Sequence, residues 1–214
     1  MKNMNLKIGR AAALAVLVET LVFAFSLLWG LFFHSLFDQL LSYVASLLLA
    51  VSVVILMACF HDRNKDSAGI LSLLALASAI MYAVFCDGNY FLQLSIVALN
   101  PLGLSREVMQ AIAFLPGSPT FALDMLGYFF LCLSTLAAGF ALDRQRERPL
   151  RFLCILHGAL ALPTILAPIL SGIFMSGGSQ ANDVGSYVLL FWCAIFAPLA
   201  WYFMRYFASA LEQE

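Results

Sequence analysis

Six apolar runs, each close to 20 residues long, limit what this chain can fold into more than any other feature. A transmembrane helix needs about 20 consecutive apolar residues, and backbone groups in lipid must be hydrogen-bonded within a helix or a closed barrel. Barrel strands are about half as long and alternate apolar with polar residues, unlike these runs. The sequence therefore predicts an all-α polytopic membrane protein with a single six-helix domain over 1–214. The predicted spans are 11–33, 39–60, 68–86, 122–142, 152–175 and 187–207.

Composition and charge placement agree with this fold class. The chain is 63% hydrophobic and 11% charged, whereas soluble domains are about half apolar and a quarter charged. With six spans, all of the 11 lysines and arginines except Arg106 fall on one side of the membrane. The positive-inside rule then places both termini in the cytoplasm. The first run is too long for the apolar region of a signal peptide, so we expect it to remain as a helix.

The third span is expected to extend beyond the bilayer. Small and polar residues recur at steps of three and four, the spacing of one helical face, and cross Gly88 without a slip. A single glycine costs a helix only about 1 kcal/mol, so a continuous helix over 68–99 is favoured over an end at Gly88. The residues of this stripe are Ser72, Ala75, Ala79, Tyr82, Cys86, Asn89 and Gln93.

The residues that follow are expected to cover this protruding helix. Asn100 can cap a short helix with Pro101 at its first position. Apolar residues from Leu104 to Leu115 recur at helical spacing, with polar residues between them. We therefore predict a short amphipathic outer cap within 88–121.

Two ionisable residues lie inside predicted spans, at similar depths from the cytoplasmic side. Glu19 follows Arg10 by nine residues, and His157 follows Arg151 by six. Ionisable groups in membranes are costly and mark functional sites by default. If the two meet, a Glu–His pair can carry protons. The structural alternative is a neutral Glu19 hydrogen-bonded to His157 or to a carbonyl group.

A second polar layer is predicted near the outer face. It consists of Tyr82, Asn89, Gln93 and Asp124, with Asp87 beside them. These side chains can line an outward pocket or an ion entry. They can equally form hydrogen bonds between helices, because Tyr, Asn and Gln supply donors and acceptors without charge.

Sequence motifs for enzymes and metal sites are absent. There is no Gly-x-Ser-x-Gly elbow, His-Glu-x-x-His or P-loop, and the five cysteines form no Cys-x-x-Cys pair. The sequence therefore favours a protein that is not an enzyme. It has no catalytic residues, metal site or cofactor to assign. Expected partners are membrane lipids and a small-molecule ligand, and no nucleic acid.

Two stretches carry a resemblance to a known group of proteins. They are NYFLQLSIV at 89–97 and LDMLGYFFLCLSTLAAGF at 123–140, with Tyr-Phe-x-Gln-Leu at 90–94 and Leu-Gly-Tyr at 126–128. In these stretches the chain resembles a family of bacterial membrane proteins with six transmembrane helices and no assigned activity. The resemblance implies a multi-pass protein of the bacterial inner membrane and leaves its function open.

Two functions fit these observations. A small-molecule or proton-coupled transporter is indicated by Glu19, His157 and the prolines expected to kink the fifth and sixth spans, Pro163, Pro168 and Pro198. The alternative is a non-catalytic membrane module that binds a lipid or a partner protein through its outer cap and small-residue faces.

Overall fold

Seven α-helices and one π-helical turn form the described part of the chain, which contains no strand. The computed structural model describes residues 2–33, 35–174 and 180–213. The all-α prediction is confirmed for these residues. The helices are α1 (Lys2–Phe33), α2 (Leu36–Leu92), α3 (Arg106–Ile112), α4 (Pro119–Ala141), α5 (Arg148–Gly158), α6 (Ala161–Phe174) and α7 (Gln180–Glu212), and the π-helical turn Gln93–Val97 follows α2 directly.

Five helical segments among the described residues are long and apolar enough to cross a membrane, which is compatible with a multi-pass membrane protein. The sequence predicted six separate runs, and the difference lies in the second segment, where the runs 39–60 and 68–86 belong to one helical stretch of 62 residues. The predicted end of the fifth run, Met175, lies outside the described residues. The five segments are Asn3–Phe33, Leu36–Val97, Pro119–Ala141, Arg148–Leu170 and Gly185–Glu212.

The long helix α2 changes direction at Ala68, where φ is −144° and ψ is 45°. Residues 61–67, expected as a polar turn, are helical instead. Local side-chain bonds support that helix, since Lys65 Nζ lies 2.7 Å from Asp62 Oδ1 and Asn64 Nδ2 donates to the Phe60 carbonyl over 2.8 Å. The break in helical geometry therefore comes after the charged residues.

The two arms of α2, residues 36–67 and 68–92, lie side by side. His61 Nδ1 is 2.9 Å from Ser72 Oγ, and the rings of Tyr43 and Tyr90 stack with centroids 5.7 Å apart. In a straight helix Tyr43 and Tyr90 would be about 70 Å apart, at 1.5 Å per residue. The backbone therefore folds back on itself at Ala68.

The second arm runs through Gly88 as expected, and the π-helical turn continues it to Val97. Every member of the predicted stripe from Ser72 to Gln93 is buried, with exposed fractions from 0% to 5%. The stripe is thus the face that packs against the rest of the bundle. Gly88 itself has open space around its Cα.

The segment after the π-helical turn differs from the predicted cap helix. Asn100 adopts a positive φ of 41° and accepts a hydrogen bond from Leu104 N at Oδ1, and Gly103 also has a positive φ. These left-handed residues belong to turns, so the helix cannot start at Pro101. It starts at Arg106 instead, after Ser105, whose Oγ accepts from Val108 N.

Close contacts at glycines join the helices of the bundle. α1 packs on α2 and α7, and α4 packs on α2, α5 and α6. A Cβ atom at Gly127 of α4 would lie 2.5 Å from Cys86 Sγ on α2. A Cβ atom at Gly158 of α5 would lie 2.6 Å from Leu136 Cβ on α4. Small residues therefore allow close approach of α4 to both neighbours, as is common for helices packed in membranes.

The fifth span is interrupted between α5 and α6, at Ala159 and Leu160. Pro163 explains the position, because proline has no N–H to donate to the carbonyl four residues earlier and its ring clashes with that carbonyl. The kink expected at this proline is therefore found as a short turn.

Candidate functional site

The predicted outer polar layer forms a buried cluster between α2 and α4. Tyr82 and Asn89 come from the second arm of α2, Gln93 from the π-helical turn and Asp124 from α4. Asn89 Nδ2 donates to Asp124 Oδ1 over 3.4 Å, and Gln93 Nε2 lies 3.5 Å from Asn89 Oδ1. The Asp124 side chain is 1% exposed, so the carboxyl group is enclosed by protein.

Local sequence explains why these groups meet. Positions 82, 86, 89 and 93 share one helical face, and Gly127 lies one turn after Asp124 on α4. The glycine allows α4 to approach the Cys86 side chain, whose Sγ lies 3.9 Å from the Asp124 carbonyl oxygen. This contact carries the Asp124 carboxyl into the face that bears Asn89.

Sequence reasoning missed the three tyrosines that complete the cluster. The hydroxyl oxygens of Tyr90 and Tyr128 are 3.4 Å apart, and Tyr43 of the first arm stacks on Tyr90. Tyr82 packs on Tyr128 with ring centroids 5.9 Å apart. Tyr90 and Tyr128 belong to the two stretches that resemble the bacterial membrane proteins. That resemblance could have singled out both tyrosines as candidate site residues.

Two buried oxygen atoms in the second arm of α2, the Tyr82 hydroxyl and Asp87 Oδ1, have no hydrogen-bond partner among the described residues. Buried polar atoms are nearly always hydrogen-bonded, and an unpaired one costs about 1–3 kcal/mol. The cluster therefore has capacity to bind a further polar group.

Gln93 ties the cluster to the segment after α3. Its Nε2 donates to the Ile112 carbonyl over 2.9 Å, and its Oε1 accepts from Phe114 N over 3.1 Å. Both ends of the amide are thus used by the backbone of residues 112–114. Thr120 Oγ1 adds a bond to the Ala113 carbonyl from the start of α4.

We expect Gln93→Ala to loosen the attachment of residues 106–118 to α2 while leaving the long helices intact. Alanine removes two hydrogen bonds to the backbone of residues 112–114, so local opening becomes easier. Hydrogen–deuterium exchange should then speed up in peptides covering 106–118. Gln110→Ala, which removes an exposed glutamine from α3, is the matched control. Equal exchange in both variants would show that Gln93 does not hold this segment.

Glu19 lies midway along α1 and is half-buried. Ser52 of the first α2 arm donates from Oγ to Glu19 Oε1 over 3.0 Å. Glu19 Oε2 is buried and has no hydrogen-bond partner in the part of the chain that the structure describes. The carboxyl group is therefore only half satisfied by the protein.

His157, by contrast, is fully enclosed and satisfied at both ring nitrogens. Trp192 Nε1 donates to His157 Nε2 over 2.8 Å, and His157 Nδ1 lies 2.7 Å from Thr135 Oγ1. An indole N–H can only donate, so Nε2 accepts and the ring proton sits on Nδ1. The Thr135 hydroxyl then donates to the Cys132 carbonyl over 3.0 Å. These bonds fix a neutral tautomer of His157.

The two ionisable residues are not hydrogen-bonded to each other. Glu19 bonds across the contact of α1 with α2, and His157 bonds across the contacts of α5 with α4 and α7. The predicted meeting of Glu19 with His157 therefore has no hydrogen bond to support it. Phe23, one turn after Glu19, does contact Trp192, with ring centroids 6.4 Å apart.

No group of three His, Cys, Asp or Glu side chains suited to a metal ion occurs among the described residues. The five cysteines are free thiols, and four of them are buried. Burial of isolated thiols in helices is the ordinary packing role of cysteine.

Comparison with known proteins identifies no relative of this chain. No protein-family model, no curated protein and no solved structure matches the chain. The resemblance to the bacterial six-helix proteins therefore stays a prediction, and the case for function depends on the site itself.

Proposed function

We propose that this chain is a six-span membrane protein with both ends in the cytoplasm, and that it couples movement of a small solute to that of a proton. The observation that carries the proposal is the enclosed carboxyl group of Asp124, which neutral partners hold beneath residues 106–118. The outer cluster consists of Tyr82, Asn89, Tyr90, Gln93, Asp124 and Tyr128.

Six spans are supported by the folded-back arms of α2. Each arm is long enough to cross the apolar core of about 30 Å. The bend places Asp62, Arg63 and Lys65 at one end of both arms. The basic residues from Arg144 to Arg151, in the turn before α5 and in its first residues, then fall on the same side, as the positive-inside rule requires for cytoplasmic segments.

Proton binding at Asp124 follows from the partners around it. Asn89 offers a neutral amide, and no lysine or arginine among the described residues forms an ion pair with Asp124. Burying an uncompensated charge is expensive, so such a carboxyl group tends to take up a proton or a cation. The unpaired hydroxyl of Tyr82 lies in the same layer and offers a further donor or acceptor.

Glu19 supplies a second carboxyl group, midway along α1. The Ser46 hydroxyl, on the first arm of α2 between Tyr43 and Ser52, is also buried without a hydrogen-bond partner. Unsatisfied polar groups thus occur at the outer cluster, at Ser46 and at Glu19. A proton route from Asp124 toward Glu19 would use these groups, together with water.

Infrared difference spectroscopy of the reconstituted protein tests whether Asp124 exchanges a proton. On passing from alkaline to acidic buffer, we expect the wild type to gain a carboxyl C=O band that Asp124→Asn lacks. Glu107→Gln, which removes an exposed carboxylate from α3, should keep the band. Identical spectra for the wild type and Asp124→Asn would remove Asp124 from any proton-carrying role.

Coupling to a solute is then measured in proteoliposomes that contain a pH-sensitive dye. A panel of small solutes is added outside, and a coupled solute should change the internal pH with the wild type but not with Asp124→Asn. If the C=O band titrates but no solute moves protons, Asp124 binds a proton without transport.

A further inference from the structure

A groove lined by arginines lies at the start of α5, apart from the outer cluster. Its volume is about 440 Å³, and it is lined by Arg144, Gln145, Arg148, Arg151, Phe152 and Ile155. Three of the six lining residues carry a guanidinium group and two are apolar. One wall therefore suits an anion, and the other suits hydrocarbon.

The side chains of Arg144 and Arg148 are not used by the protein. Within the described chain, neither forms an ion pair or a side-chain hydrogen bond. Asp143, next to Arg144 in the sequence, is engaged elsewhere, because its Oδ1 accepts from the backbone N–H groups of Gln145 and Arg146. Those bonds hold the pKa of Asp143 below its ordinary value. The two guanidinium groups are thus available to an external anion.

Arg151 is fixed in place by contrast. Its Nη1 donates to the carbonyls of Gly139 and Leu142, over 2.9 and 3.1 Å, at the end of α4. This anchoring holds the guanidinium group in the lining of the groove, and within the described chain its other nitrogens form no hydrogen bond. Arginine is suited to such a site, since its planar fork binds phosphate through paired hydrogen bonds.

The apolar wall leads from the groove along a helix that faces outward. Phe152 is 64% exposed, and Leu156 and Leu162 further along are also exposed. In its most apolar stretch, the segment Arg148–Leu170 is 17% buried, against 33% to 50% for the other four spanning segments. A hydrocarbon chain can therefore lie along α5 and α6 below a head group held by the arginines.

We propose that this groove binds the phosphate head group of an anionic phospholipid, with one acyl chain along Phe152 and the outward face of α5 and α6. Free phosphate has no hydrocarbon chain with which to cover the apolar wall. In the proposed orientation the groove faces the cytoplasmic leaflet, where basic side chains near a membrane attract anionic lipid. The site is separate from the outer cluster and does not require transport.

Native mass spectrometry of the full-length protein tests the proposal, with phosphatidylglycerol and phosphatidylcholine of the same acyl chains as probes. We expect the wild type to prefer phosphatidylglycerol, and Arg144→Gln with Arg148→Gln to reduce that preference about 30-fold. Arg10→Gln with Arg205→Gln removes the same charge elsewhere and should keep the preference. An equal loss in both double variants would overturn the site in favour of general charge attraction.

Two further measurements keep the test independent of the variants. A photoreactive phosphatidylglycerol should cross-link to the wild type within residues 143–156, and labelling confined to other peptides would overturn the proposal. Inorganic phosphate at millimolar concentration should leave phosphatidylglycerol binding unchanged. Full competition by phosphate would instead identify a site for a soluble anion.

Discussion

Replacing His157 by alanine should lower the free energy of unfolding by about 2–4 kcal/mol. The change leaves the Trp192 indole N–H without an acceptor in a buried position and removes the partner of the Thr135 hydroxyl. It also opens a cavity, because the imidazole is fully enclosed and packs on Phe196. α5 would thus lose its hydrogen bonds to Thr135 of α4 and Trp192 of α7.

The loss is measured by titrating the detergent-solubilised protein with a denaturing detergent. A thiol-reactive dye reports unfolding, since Cys132, Cys154 and Cys193 are buried in the fold. His61→Ala is the control, because His61 contacts Ser72 from a half-buried position and should cost less. Trp192→Phe completes a double-mutant cycle, and additive losses would show that the Trp192–His157 bond contributes nothing.

Replacing Glu19 by methionine should stabilise the protein, raising the free energy of unfolding by about 1–3 kcal/mol. Methionine has a similar length and no polar atoms to desolvate. The carboxyl group receives one hydrogen bond, from Ser52, and its Oε2 has none. If Glu19 serves proton movement, the same change should abolish it, so stability rises as activity falls.

The same titration measures this change. Ser52→Ala is the matched control, because it removes the one donor to Glu19 among the described residues and should destabilise the protein. A destabilised Glu19→Met would mean that the carboxyl group is fully paired, and Glu19 would then be a packing residue. Opposite signs at His157 and Glu19 would separate a structural polar group from a functional one.

The stripe from Ser72 to Gln93 shows how much of the fold could be read from the sequence. Its spacing predicted one buried helical face through Gly88, and all seven side chains are buried. Periodicity succeeds here because it depends only on helical geometry, which every residue of a long apolar run shares. The position of the bend did not follow, because Asp62 and Lys65 favour helix by pairing three residues apart.

The candidate site was predictable in part for a similar reason. One polar layer was predicted, and hydrogen bonds join three of its members, Asn89, Gln93 and Asp124. The predicted layer consisted of Tyr82, Asp87, Asn89, Gln93 and Asp124. Depth along a helix also suggested that Glu19 meets His157, but depth does not specify which helices are neighbours. The partners of these two residues, Ser52 and Trp192, depend on lateral packing that single-chain periodicity does not encode.

Gln93 hydrogen-bonds through both ends of its amide to backbone that is synthesised after it. Its amide and that of Asn89 lie on the second arm of α2, whereas their partners lie between Ile112 and Asp124. The ribosome makes those partners 19 to 35 residues later. Until then both amides face either water or hydrocarbon, and hydrocarbon satisfies neither. In the proposed orientation, the outer end of this arm therefore stays at the membrane surface until the following segment is made, and a pause in synthesis after residue 100 would leave the amides of Asn89 and Gln93 without their protein partners.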